Sequence, residues 1–323
     1  MTLLRSLAPL TLIALLSACG GGGGGGGASG GGGGGSTGGG GSGGGAPVDP
    51  VDPVNPVTGG GPSYLGFDSS SSTVVAVRLV GVDRSGSTPT LRNAEGRRQG
   101  NTDGLSIDGL LDDADGRSST DIWADGTTRI IATEDLTTDP FVGVNGTYAI
   151  PVSVNENNSQ GGAVRNYSVV GVETRSGDMP SSGTASFEGR ATVGQILSGG
   201  FADVRGDARL DASFAGAGDV DVTVDNLPTV MDSMGNPVPS LGYDEVRLRN
   251  MTISGATFEG GTVTYRSGGS TVTPEGSGGS DATVGAFYGA DGSAPLEAGG
   301  AWVTTGANGQ IFGTFLTDDR TSP

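Results

Sequence analysis

The sequence predicts an all-β fold, ending in an eight-stranded antiparallel up-and-down β-barrel that is preceded by a smaller β-rich domain. Three observations carry this. Beyond Tyr64 the chain is a succession of short runs in which apolar residues alternate with polar ones. Gly, Asn, Asp and Ser break these runs at intervals that suit strands and turns. No long stretch shows the 3.6-residue spacing of a helix; Asp108 to Ala114 and Val193 to Gly199 read as single helical turns at most.

In the first half the strongest strand is Ser72 to Val82, and the polar stretch from Asp83 to Gly104 reads as a loop. Further strands are expected at Ile122 to Ala132, Val142 to Asn155 and Val164 to Thr174. Pro140 and Pro151 fall at strand ends or edges, where a missing N–H is tolerated.

The second half alternates more cleanly. Gly183 to Thr192 sets Ala185 and Phe187 among polar neighbours. Asp207 to Phe214 points Ala208, Leu210, Ala212 and Phe214 one way and Asp207, Arg209, Asp211 and Ser213 the other. Asp219 to Asn226 repeats this with Val220, Val222 and Val224, so one face is buried and the other wet. Val246, Leu248, Ile253, Val263 and Tyr265 continue it, and Thr283 to Tyr288, Ala298 to Thr304 and Gln310 to Thr317 close the chain. Eight such strands joined in sequence by hairpin-like turns suit an up-and-down barrel filled by side chains.

Three pieces of this half carry a family resemblance. Val284-Gly285-Ala286-Phe287-Tyr288-Gly289, then Glu297-Ala298-Gly299-Gly300-Ala301-Trp302, then Ile311-Phe312-Gly313-Thr314-Phe315 resemble the last three strands of the transferrin-binding protein B-like barrel. Leu210 to Gly218 is similar to an earlier strand and turn of that family, and Ile253 to Gly260 to its central hairpin. The motif residues Phe287, Tyr288, Gly289, Glu297, Gly299, Gly300, Trp302, Phe312, Gly313 and Phe315 specify a fold, not a chemistry: glycines allow tight turns and close approach, and the rings are bulky enough to fill a small barrel. The resemblance implies a lipid-anchored protein of a Gram-negative outer membrane that binds a host protein or a haem carrier through loops of an N-terminal handle domain. The weaker first half sits where that handle would be. The chain departs from the family in lacking lysine and in holding one handle-plus-barrel unit, so no particular ligand carries over.

The N-terminus supplies the anchor. Met1 to Arg5 carries one positive charge and Ser6 to Leu16 is almost entirely apolar, too short to span a bilayer as a helix. With Leu16-Ser17-Ala18-Cys19 following, it reads as a secretory signal that resembles the lipobox of bacterial lipoproteins, in which Cys19 is lipidated with fatty acyl chains such as palmitate. Each buried methylene adds ~0.8 kcal/mol, so several chains anchor the protein in the membrane for good. Gly20 after the cysteine favours, by that resemblance, export to the outer membrane. From Gly20 to Gly61 the chain is mostly glycine, ending in the run Pro47 to Pro56; a coil of this length reaches roughly 35–40 Å, which suits a tether.

Composition excludes several function classes. Of 323 residues, 35 are acidic against 17 basic, all arginine, and such a surface repels nucleic acid and its phosphates. With no histidine, and with Cys19 the single cysteine, there is no disulfide, no Ser-His-Asp or Cys-His catalysis and no ordinary zinc site. The run Asp112-Asp113-Ala114-Asp115-Gly116 fails as a calcium loop, because aligning its glycine puts Leu111 first and Ile122 twelfth, where carboxylates belong. Neither catalytic residue, cofactor nor metal is expected. A porin-like barrel is disfavoured by the tether and by the lack of a terminal aromatic after Thr317.

The expected organisation is a signal peptide with lipobox (1–19), a Gly/Pro-rich disordered tether (20–62), a handle-like domain (63–180) and a barrel (181–323). The chain reads as a monomeric, non-enzymatic lipoprotein of the outer membrane and cell surface. Its expected ligand is an extracellular macromolecule or an iron or haem carrier, met by the loops Asp83 to Gly104 and Asp112 to Thr120. A structural or adhesive envelope lipoprotein without a soluble ligand is the alternative.

Overall fold

A computed structural model describes residues 74–84, 88–99, 104–114, 122–124, 128–132, 148–157, 163–197, 200–228, 241–289 and 292–318. The expected signal peptide, Cys19 and the tether lie outside the described residues. What is described is built from two antiparallel sheets and no helix.

The first sheet holds β1 (Val74–Asp83), β2 (Thr90–Gln99), β3 (Gly104–Ile107), β4 (Leu111–Ala114), β5 (Ile122–Ala124), β6 (Thr128–Ala132), β7 (Ala149–Asn157) and β8 (Ala163–Val172). Its order is β4-β3-β2-β1-β8-β7-β6-β5. The two edge strands β4 and β5 are consecutive in the chain and approach one another, so the sheet curls into a nearly closed barrel. Val77, Leu79, Leu105, Ile107, Trp123, Ile130, Ile150, Val152, Val154 and Val170 fill it.

The second sheet holds β9 (Thr184–Leu197), β10 (Gly200–Ser213), β11 (Asp219–Asp225), β12 (Glu245–Ser254), β13 (Thr257–Glu259), β14 (Thr262–Ser267), β15 (Ser270–Val272), β16 (Asp281–Tyr288), β17 (Glu297–Gly306) and β18 (Gly309–Asp318). It closes on itself through the β18–β9 and β11–β12 ladders. β13 and β14 pair with one edge of β12 and are separated by Gly260 and Gly261, both at positive φ, so they act as a single interrupted strand. A Cβ on Gly261 would lie 2.2 Å from the Arg249 carbonyl oxygen, which is why only glycine fits. Counted this way the ring has eight strands, each paired with its chain neighbour, and β15 hangs on β14. This is the all-β, up-and-down barrel that the sequence predicts, with the β-rich handle before it.

The barrel interior is solid. Alternation delivers Ala208, Leu210 and Ala212 from β10 and Val220, Val222 and Val224 from β11 to one core with Phe187, Phe258, Phe287, Trp302 and Phe315. Each large side chain buried there contributes about 1.5–3 kcal/mol. Phe287 is the hub, with ring centroids 5.1 Å from Phe258, 5.7 Å from Phe214 and 6.3 Å from Phe187, inside the usual range for aromatic pairs.

Several expectations need correction. Asp83 to Gly104 is not a loop: most of it is β2, paired along its length with β1 and at its end with β3. Its inward positions are Ala94, Gly96 and Arg98, so the strand has almost no apolar alternation to read. Asp108 to Ala114 is a turn that closes a hairpin and then β4, with Gly109 at φ 70°. Val193 to Gly199 is no helical turn over its described part, which belongs to β9. Ile122 to Ala132 is two strands, β5 and β6, paired with each other. Of the expected loop Asp112 to Thr120, residues 112–114 lie in β4 and the remainder lies outside the described residues.

Candidate functional site

The two sheets belong to one compact unit, and a third apolar cluster joins them. Val80 and Val82 of β1, Ala149 of β7 and Val169 of β8 meet Val284, Ala286 and Tyr288 of β16, Ala301 and Val303 of β17, and Phe312 and Leu316 of β18. The barrel wall β16–β18 is thus buried on both faces. It is filled from within by the barrel core and covered from without by the handle.

The motif residues divide between these two faces. Phe287, Trp302 and Phe315 point inward, and Gly300 and Gly313 lie under the rings of Phe315 and Trp302, where an added Cβ would sit 2.5 and 2.2 Å from ring carbons. Tyr288, Gly299 and Phe312 instead face the handle. The Tyr288 ring lies over Gly171 of β8, where a Cβ would come within 2.4 Å, and Val169 fits against Gly299. Gly289 donates its N–H to the Val172 carbonyl, and Thr174 donates its own to Phe287, so the end of β8 extends the ladder of β16.

Glu297 opens β17 and is 3% exposed. Its carboxylate accepts from the backbone N–H of Ala149 at 2.7 Å and from that of Tyr148 at 3.1 Å to each oxygen. A buried carboxylate costs several kcal/mol unless charge-assisted hydrogen bonds answer it, and here the handle supplies them. Beside it Arg78 grips Glu173 with two bonds of 3.0 Å. Burial pushes the Tyr148 hydroxyl above its ordinary value, with the Glu297 charge adding to this. It also pushes the Tyr288 hydroxyl far up, reinforced by Glu173 and opposed by Arg78, so that Tyr288 stays neutral at any physiological pH. Sequence reading places Glu297 in a family motif but misses this latch and its neighbour pair. The available signal is an acid set directly before a run of small residues, Ala298-Gly299-Gly300-Ala301.

The opposite side of the barrel, β9–β12, is polar. Arg190 pairs with Asp207, which also accepts from Asn226 at 2.7 Å. Asp211 accepts from Ser186 at 2.8 Å and from Arg209 at 3.0 Å, and Asp221 accepts the Asn250 N–H at 2.9 Å. An open groove of about 550 Å³ runs over Ser186, Arg209, Asp211, Asp219 and Asp221. Burial pushes the Asp211 carboxyl up, but the hydrogen bonds from Arg209 and Ser186 and the charges of Arg209 and Arg249 outweigh it and hold it below the usual range. Asp225 moves the other way, raised by burial and by the charges of Asp207 and Glu245. A membrane-spanning barrel has a polar interior and an apolar outer belt, the reverse of this arrangement. Among the described residues no group of three or more acidic, His or Cys side chains is arranged to hold a metal.

An all-β, two-sheet scaffold with a packed barrel and a latched handle is what the fold defines. Solved structures similar to it include a double mutant of transferrin binding protein B from Haemophilus parasuis Hp5, 14% identical over 76% of this chain and 44% of that one, at a TM-score of 0.45. Transferrin binding protein B from serogroup B Neisseria meningitidis also matches, 14% identical over 76% of this chain and 44% of that one, at 0.43. A protein described as a surface lipoprotein matches at 13% identity over 77% of this chain and 99% of that one, at 0.32. The chain spans less than half the length of the first two. No family model and no curated protein matches the sequence.

Proposed function

We propose that this protein is a lipid-anchored surface protein of the outer membrane that binds a macromolecule, or an iron or haem carrier, through the segments linking its handle strands. The observation that carries the reading is a lipobox-like Leu16-Ser17-Ala18-Cys19, followed by a glycine-rich run and then a double-sheet body whose barrel core is filled. A filled barrel has no cup for a small ligand, so recognition falls to the outside of the scaffold. A tether gives such a scaffold reach and lets it reorient towards a bulky partner. Those binding segments include residues 115–120, the part of the expected loop Asp112 to Thr120 that follows β4. The 1–19, 20–62, 63–180 and 181–323 organisation belongs to the same proposal, as does a monomeric state.

The test is protease treatment of intact cells, reading an epitope in the barrel against a periplasmic control. Rapid loss of the epitope with the control intact is expected. Cys19→Ser should abolish palmitate incorporation and release the protein from the membrane fraction. Full protection of the epitope on intact cells overturns the surface reading, and membrane retention of the Cys19→Ser variant overturns the anchor.

A further inference from the structure

The seam between handle and barrel holds several buried hydroxyls without a hydrogen-bond partner, as the barrel core does at Tyr243. Four side chains on its contacting faces bury a hydroxyl that no protein atom meets: Ser153 of β7, Thr192 of β9, Tyr288 of β16 and Thr314 of β18. They are 2%, 3%, 0% and 1% exposed. Their facing follows from the pleat. Thr314 lies between Phe312 and Leu316 on the covered side of β18, Thr192 is two residues from Gly194 under the Phe312 ring, and Ser153 shares its side of β7 with Ala149. Threonines turned into the barrel behave differently: Thr304 meets the Tyr265 hydroxyl at 2.7 Å and Thr317 donates to the Ala298 carbonyl at 3.0 Å.

Thr192 and Thr314 are direct cross-strand partners. Side chains so placed stand about 4.5–5.5 Å apart at Cβ and commonly hydrogen-bond to one another. These two do not. The next residue across from Thr314 on the other side is the small Ala301, while the Phe312 ring covers Gly194 beyond Thr192 on the same face. Dry burial of each orphaned hydroxyl would cost about 1–3 kcal/mol, and four would consume much of a domain's net stability. A site that is polar, enclosed and lined by hydroxyls that both donate and accept has the chemistry that holds internal water.

We propose that the handle–barrel seam is a hydrated interface, in which ordered waters bridge the Thr192 and Thr314 hydroxyls and extend to Ser153 and Tyr288. Water there satisfies the hydroxyls with little loss relative to direct bonds, and it makes the seam a lubricated joint.

The test compares the intact chain with a Thr192→Val/Thr314→Val variant, using oxygen-17 relaxation dispersion for long-lived internal waters and thermal unfolding for stability. The expected result is fewer long-lived waters in the variant and a Tm lower by about 2–4 °C. A Thr192→Ser/Thr314→Ser variant keeps both hydroxyls and should retain the waters, which separates hydration from shape. A water count unchanged by the valines, or a Tm that rises because two orphaned hydroxyls have been removed, overturns the proposal.

Discussion

At Glu297 one carboxylate does for the handle what a ladder of strand pairs does elsewhere, because two adjacent backbone N–H groups at the start of β7 have it as their acceptor. Replacing it with Gln keeps the shape but turns one acceptor oxygen into a donor, leaving a buried N–H facing N–H. The expected cost of Glu297→Gln is about 1–3 kcal/mol, read as a lower urea midpoint, with Glu297→Ala worse. The loss should appear first as faster hydrogen exchange at Tyr148 and Ala149. Tyr288 beside it shows why identity in a motif does not announce direction. Phe287 and Tyr288 are neighbours in sequence and opposite in facing, one filling the barrel and the other seated on Gly171. Pleating makes that certain once a strand is granted, but which residue faces which core depends on the handle, and its position over the wall is not written into the barrel's own sequence.

Among the elements, β10 and β11 were legible because their outer faces are wet. Leu210 and Val222 alternate with Asp211 and Asp221, and the period of two is plain. β9 turns from one regime to the other along its length: Ser186 and Arg190 are on the polar side, whereas Ala191 to Gln195 is buried without a break. There the alternation vanishes, since Val193 belongs to the barrel core and Ile196 packs at the seam, and the residues past Thr192 pass for a helical turn. β2 is hidden for the opposite reason, a strand in mid-sheet with hardly an apolar side chain. The polar face carries its own pH signature. Asp211 has a depressed carboxyl, so its stabilising effect is present above the unfolded-state value of about 3.9 and is lost as pH falls through the lower folded value. Asp225 has a raised one, so its favourable, protonated form is lost as pH rises through the folded value, leaving a charge that strains the face at pH 7. Asp225→Asn should therefore raise Tm at pH 7 by about 1–3 °C, and Asp211→Asn should lower it by a similar amount, with both differences vanishing near pH 2. Thermal unfolding across that range checks the signs.

Over the whole molecule, closure is the organising fact. β18 holds the last ladder, pairing with β17 on one side and with β9, the first barrel strand, on the other, and its outward residues complete the seam. Deleting residues 309–323 should accordingly cost more than its length suggests. It opens the barrel, bares Phe187 and Trp302, and strips Phe312 and Leu316 from the handle. The expected outcome is loss of cooperative unfolding in both sheets together, read by near-UV circular dichroism and proteolysis. A surviving handle transition would show the seam to be dispensable. The doubly buried wall has one more effect, on what the chain tolerates over generations. Along the buried stretches of β16–β18 successive side chains answer in turn to a core and to a covering sheet, so few positions are free to change. On β10–β12 the outward positions answer only to solvent and to one another, so a lineage under pressure to change its exterior can rewrite that side of the barrel while leaving the architecture behind it untouched.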